Sequence, residues 1–209
     1  MSNRQSLLII GAGGHARPVV DAAMRAGYEV SGIIDHRYAG QTELILGIPV
    51  IGGIDELNDF DQASTRCFIA IGDGEEREKL SLLVAEQGFE IVRLIHPTAI
   101  ISEHTEIASG CFINAGAILN AGVALGTGTI INTGAIIDHE TKIGAYCHIA
   151  PGVRIAGRVR IGDFSFIGIG ASLIDKITIG DHVTVGAGSV IIRNIESQTK
   201  VAGVPGKPI

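Results

Sequence analysis

From Ile95 to Val185 an aliphatic residue occupies every sixth position of the chain, sixteen hexads without a break: Ile95, Ile101, Ile107, Ile113 and onward. Four residues after each stands a small or β-branched side chain, from Ala99, Thr105 and Cys111 through to Ser189. A helix of ~3.6 residues per turn cannot hold that register. Two inward positions in every six describe short strands separated by corners, the pattern of a parallel β-helix. Three hexads make one triangular coil, with neighbouring coils stacked about 4.8 Å apart. Gly, Asn or Asp follows the aliphatic residue in ten hexads, as at Asn114, Asn132 and Gly144, and these residues are expected to supply the positive φ of the corners. Cys111 and Cys147 lie two coils apart on one predicted interior column, about 10 Å from each other. That is beyond disulfide reach, so they read as small core fillers.

Ahead of the repeat the periodicity changes. Residues 6–10 predict a buried parallel strand running into Gly11-Ala12-Gly13-Gly14-His15. Residues 17–27 predict a helix with Val19, Val20, Ala23 and Met24 on one face and Gly27 as its stop. A second strand over 28–34 ends in Asp35, and a further strand over 67–71 ends in Gly72-Asp73-Gly74. A second helix covers 75–87, and 90–94 lead into the repeat. The reading is a small α/β domain of half-Rossmann size over residues 1–94, followed by an all-β parallel β-helix with a C-terminal tail over 95–209. The glycine turn brings a helix N-terminus toward the strand tips, a site suited to phosphate, and Asp35 is placed to take ribose hydroxyls. A tight βα turn with no ligand remains open. NAD is disfavoured, because a second mononucleotide half and redox residues are missing.

Composition narrows the partners. Glycine makes up 29 of 209 residues, aromatics 4 %, and tryptophan is absent, yet 46 % of the chain is hydrophobic, so the core is built from aliphatic and small side chains. A net charge of −6 without a basic run argues against nucleic acid. No apolar stretch approaches the ~18 residues of a membrane span. The first residues lack the apolar region and cleavage site of a signal peptide. Three cysteines at no metal-ligand spacing fit a reducing cytoplasm. No two histidines are five apart, as the three-histidine zinc site of a β-helix carbonic anhydrase would need, so no metal is expected.

Glycine holds the fourth hexad position five times running, at Gly110, Gly116, Gly122, Gly128 and Gly134. The next unit reads Ile137-Asp138-His139-Glu140-Thr141-Lys142, with an acid in place of glycine directly after a histidine. His148 follows nine residues on. The plain reading is a solvated wall of the β-helix. The chemical one is a histidine general base oriented by a neighbouring carboxylate that favours its protonated form. A convex wall offers no pocket that excludes water, so the pair is expected to meet its substrate against a neighbouring copy in a closed homotrimer.

Almost the whole chain resembles the sialic-acid O-acetyltransferase and nucleotide-amino-sugar N-acetyltransferase family (NeuD-like and PglD-like). The resemblance rests on Ile-Gly-Ala-Gly-Gly-His at 10–15, Ile-Ile-Asp at 33–35 and Ile-Ala-Ile-Gly-Asp at 69–73. It continues in Ile-His-Pro-Thr-Ala at 95–99, Asn-Thr-Gly-Ala-Ile-Ile-Asp-His-Glu at 132–140 and Gly-Val-Pro-Gly-Lys at 203–207. The resemblance implies a left-handed β-helix of hexapeptide repeats and direct acetyl transfer from acetyl-CoA. The implied acceptor is the amine of a nucleotide-linked 4-amino-4,6-dideoxy sugar, made for surface glycans or glycoproteins. It implies His139 as base and Glu140 as the acid that raises its basicity. It also implies acetyl-CoA contacts at His148, Ile169 and Ala187, the last through main chain because relatives often carry glycine there. Gly13, Gly14, His15, Asp35, His36 and Gly72 match the positions that hold the nucleotide-sugar. His36 stands where relatives have a second aspartate, which leaves uridine, guanosine and thymidine open. An O-acetyltransferase acting on sialic acid shares the same base and cofactor. A non-catalytic trimeric scaffold that binds nucleotide-sugar is the reading from another class.

Overall fold

The computed structural model describes residues 5–37, 40 and 43–209. It divides into two compact units, Met1–Pro97 and Thr98–Ile209.

In the first unit Ser6–Ile10 (β1) is followed by Ala16–Arg25 (α1) and Glu29–Ile34 (β2). A hairpin of Leu44–Ile45 (β3) and Ile48–Gly52 (β4) comes next, then a 3₁₀ turn at Ile54–Asp59. Thr65–Ile69 (β5), Gly74–Glu86 (α2) and Glu90–Ile91 (β6) complete it. The sheet order is β3-β4-β2-β1-β5-β6, and β4, β2, β1, β5 and β6 are parallel. The hairpin makes the sheet wider than a half-Rossmann unit. The chain steps from β1 to β2 through α1 and, in the other direction, from β5 to β6 through α2. The C-terminal ends of β1 and β5 therefore flank a topological switch point, where such sheets bind ligands. Pro18 is tolerated in α1 because the first-turn N–H groups have no partner within the helix. Asp73 caps α2 by accepting the Glu76 N–H at 2.9 Å.

The second unit is a parallel β-helix of two-residue strands. One face stacks Phe112–Ile113, Ile130–Ile131, His148–Ile149, Phe166–Ile167 and Thr184–Val185. A second stacks Ile100–Ile101, Ile118–Leu119, Ile136–Ile137, Arg154–Ile155, Ser172–Leu173 and Val190–Ile191. The third stacks Glu106–Ile107, Ala124–Leu125, Lys142–Ile143, Arg160–Ile161 and Thr178–Ile179. Each partner lies 18 residues along the chain, so the aliphatic columns close a core in which Ile113, Ile131, Ile137, Ile149 and Ile167 are fully buried. Cys111 and Cys147 are buried fillers, their thiols donating to the carbonyls of Gly126 at 3.1 Å and Gly162 at 3.0 Å.

The positive φ of the corners falls at the fourth hexad position and not at the second. All fourteen fourth hexad positions from Gly110 to Gly188 have positive φ, whether glycine or not, and none of the ten Gly, Asn or Asp residues at the second position does. The second position is small for another reason. A Cβ on Gly126 would lie 2.5 Å from the Ala145 nitrogen of the next coil, and one on Gly144 would lie 2.8 Å from that of Asp163. At three of the four Asn or Asp positions the side chain accepts the following N–H: Asn114 from Ala115 at 2.7 Å, Asn132 from Thr133 at 2.8 Å and Asp138 from His139 at 2.7 Å.

Candidate active site

In the first unit six singled-out residues gather at the C-terminal ends of β1, β2 and β5. Gly11 must be glycine: its φ is +113°, and a Cβ would meet the Ile71 side chain at 2.6 Å. Gly13 and Gly14 leave the entry to α1 open, with no atom within 4 Å of a Cβ on Gly14, and His15 is the half-buried N-cap residue. Gly72 faces the same crevice from β5 with equally open space. Exposed main-chain amides at a helix N-terminus suit an anionic ligand.

Asp35 braces this turn. Oδ2 accepts the Ala12 N–H at 2.7 Å and Oδ1 the Arg37 N–H at 2.8 Å, while the carboxylate is almost wholly buried. Burial alone pushes its pKa up. The two N–H donors and the nearby Arg37 guanidinium, 3.5 Å away, outweigh that and hold it below the usual carboxylate value. Both oxygens thus serve the loop. His36 points its Nε2 at Glu76 Oε1, 2.8 Å away, beside a cavity of about 180 Å³ lined also by Ile54, Lys79, Leu80 and Leu83. Arg77 is a further residue at this crevice. It is fully buried in the stripe of α2 that holds Leu80, Ser81 and Val84, and its guanidinium donates to the carbonyls of Ile71, Gly72 and Asp73 at 2.8–3.2 Å. Its signal in the sequence is a charge at a core-facing helical position.

In the β-helix His139 and Glu140 form the corner between the second and third faces. Glu140 takes φ +58° where earlier corners have glycine, and its Oε2 lies 3.1 Å from His139 Nδ1. With Nδ1 donating to that carboxylate, Nε2 carries the basic lone pair. Glu140 Oε2 also accepts from Arg158 Nε at 2.7 Å. That bond first, and then the one with His139, hold the Glu140 carboxyl below its usual range.

His148 stands on the first face, edge-on to Phe166 with ring centroids 5.3 Å apart. Its Nε2 lies 3.2 Å from Asn132 Nδ2. Asn132 Oδ1 already accepts from Thr133 N and from the buried Asn114 amide at 2.9 Å, so the NH₂ group faces the histidine. Neutral His148 therefore accepts at Nε2 and carries its proton on Nδ1. The 18-residue spacing of Asn114 and Asn132 is the sequence signal for this ladder, beyond their place at the corners. Ile169 is 59 % exposed and, with Ala187, sits on the corner between the first and second faces, in a column of bare glycines at 134, 152, 170 and 188. In this triangular section, the corner carrying His139 is opposite the face carrying His148. No face of a single chain presents both.

Among the described residues there is no group of three or more His, Cys, Asp or Glu able to hold a metal, and no helix long and apolar enough to cross a membrane.

Family models match the chain in two places, the PglD N-terminal domain over residues 6–82 and the six-repeat bacterial transferase hexapeptide over 158–193. The structure is similar to that of perosamine N-acetyltransferase from Caulobacter crescentus, solved with CoA and GDP-perosamine as a variant with asparagine in place of one histidine. The TM-score is 0.93 and the identity 38 %, covering 98 % of this chain and 96 % of that one. It is also similar to the acetyltransferase domain of PglB from Neisseria gonorrhoeae FA1090 in complex with acetyl coenzyme A, with TM-score 0.92, 36 % identity, and 99 % and 100 % coverage. Over 105 residues the chain is 33 % identical to the uncharacterized protein L142 of Acanthamoeba polyphaga mimivirus. That match covers 50 % of this chain but only 20 % of the viral protein, so the chain spans about a fifth of that relative's length.

Proposed function

The chain belongs to the family of left-handed β-helix, hexapeptide-repeat acetyltransferases with a PglD-type N-terminal domain, and from that membership we propose that it N-acetylates a nucleotide-linked 4-amino-4,6-dideoxy sugar with acetyl-CoA. The observation that carries the chemistry is the contact between His139 Nδ1 and Glu140 Oε2 on an exposed corner. His139 Nε2 takes the proton that the sugar amine loses as its nitrogen bonds to the acetyl carbon. The thioester C–S bond breaks, and CoA leaves with its sulfur free to take a proton. Glu140 stabilises the imidazolium that forms. The crevice braced by Asp35 holds the nucleotide, with phosphates at the α1 N-terminus. Relatives that bind GDP-perosamine make guanosine the first base to try.

The opposed positions of His139 and His148 support a homotrimer with acetyl-CoA between adjacent β-helices. One copy supplies His139 and Glu140; its neighbour supplies His148, Ile169 and the main chain at Ala187. Its co-substrates, acetyl-CoA and a nucleotide-sugar, support a cytoplasmic reaction.

Thiol release from acetyl-CoA tests this reading, with GDP-perosamine, UDP- and dTDP-linked 4-amino sugars, and free and CMP-linked sialic acid as acceptors. Turnover is expected with a nucleotide-linked amino sugar. Turnover confined to sialic acids, or none with any acceptor, rejects the proposal.

A further inference from the structure

The carboxylate oxygen that faces His139 has a second partner that the reaction does not itself require. Arg158 lies one coil below Glu140, and its Nε donates to the same Oε2 at 2.7 Å. Its main chain is tied to the same corner, because the Arg158 N–H donates to the carbonyl of His139 at 2.9 Å. Directly before it, Gly157 leaves the space that the His139 ring fills: a Cβ there would lie 2.6 Å from both Cε1 and Nε2. Residues 157 and 158 therefore form the seat of the pair at 139 and 140. We infer that Arg158 is a positioning residue for the acetyl transfer, clamping Glu140 Oε2 against His139 Nδ1 so that Nε2 is held as the basic atom.

The clamp has two separable effects. It fixes a carboxylate that would otherwise rotate among exposed rotamers, and a base held by a fixed carboxylate keeps one tautomer and one ring orientation. It also pairs the carboxylate's charge, which helps to hold the Glu140 carboxyl below its usual range. The other charged groups about the corner are Asp138, which accepts the His139 N–H, and Asp175, which pairs with Lys176 at 3.2 Å and acts electrostatically on Arg158. The coil above contributes only Asn120, Ala121 and Gly122, with Asn120 bonded to Asp138 at 2.9 Å. Arg158 is thus the cation in direct contact with the pair.

The inference rests on the acetyltransferase reading, but its first test does not need turnover. 15N NMR of the His139 imidazole at high pH, assigned with His139→Asn, is compared in the native protein, Arg158→Gln and Arg158→Lys. The native ring is expected to show one tautomer, with its proton on Nδ1. In Arg158→Gln the two ring nitrogens should move toward the averaged shifts of a tautomer mixture, while Arg158→Lys, which keeps the charge, should stay closer to the native pattern. An Arg158→Gln ring that keeps the native single tautomer overturns the inference, whatever the protein's activity. In turnover, Arg158→Gln should lower kcat about 3–10-fold at saturating substrates, with KM for acetyl-CoA within twofold and partial rescue in Arg158→Lys. A fall confined to KM or to thermal stability would mark a merely structural residue. Inactivity of the native protein with every acceptor would instead reject the proposed function and leave the NMR result standing.

Discussion

Gly157 lies one coil below His139 and against its ring, with no room for even a methyl group between them. The imidazole thus rests on backbone, and its orientation depends on a residue 18 positions away that carries no chemistry of its own. Gly157→Ala is expected to tilt the ring and lower kcat by roughly 10–100-fold, since a shift of about 1 Å in a reacting group costs on that order. Unfolding stability should change by under ~1 kcal/mol, because the corner is exposed and no core column is touched. Steady-state kinetics beside a thermal melt checks both halves.

Replacing His139 with Ala or Asn should lower kcat by roughly 10²–10⁴, the usual contribution of one general base. Its side chain is half exposed, so the melting temperature should hardly move. Glu140→Gln should be milder, because the base survives without its counter-charge. A near-normal kcat for His139→Ala alongside a severe loss for His148→Ala would move the base to His148.

Mixing two impaired chains tests whether the site is shared. If His139 of one copy works with His148 of its neighbour, random trimers of His139→Asn and His148→Asn chains contain some sites with both histidines. About a quarter of sites are then complete, by simple assortment around a three-fold ring. Activity should recover to roughly that fraction after co-refolding. Activity no greater than the average of the two parents would confine the site to one chain.

Asp35→Asn removes one acceptor and turns an NH₂ toward a main-chain donor, at Ala12 or Arg37. The cost expected for an unsatisfied buried donor is about 1–3 kcal/mol. Nucleotide affinity should fall at least about tenfold while acetyl-CoA affinity stays within twofold, which calorimetry resolves for each ligand. The stability difference should depend on pH in one direction. The folded-state pKa of Asp35 lies below its ordinary value of 3.8. Its contribution is therefore complete at neutral pH and lost as acid carries the protein down through the depressed folded value. Melts of native and variant protein from pH 7 to pH 3 should converge at the acid end.

Much of this molecule is legible in the one-dimensional pattern, because a β-helix repeats one steric demand at fixed intervals. Ile137 and Ile143 must be apolar for the same reason as every residue in their columns. Glycine obscures the corners because it answers two demands. At 144 it makes way for the next coil, and at 134 it relieves a positive φ, and composition alone cannot separate these. The hairpin of β3 and β4 leaves no such trace, because β3 has two residues and Leu44 and Leu46 are exposed, so no alternation marks it. The His139–Glu140 pair is visible as a break in the glycine series. Its support at 157 and 158 is not, since contact between coils appears in the sequence only after the chain is wound in steps of 18.

That winding governs how such a protein can change length. Deleting residues 157–174, one full turn of the prism, would restore every inward column in register. It would also slide Asp175 and Lys176 into the places of Gly157 and Arg158, setting an aspartate where the imidazole now rests and removing Ile169. The scaffold is periodic and the chemistry is not. Whole turns can be gained or lost with little penalty only where they fall outside the stretch between these two coils, so architecture and activity answer to separate segments of one uniform stack.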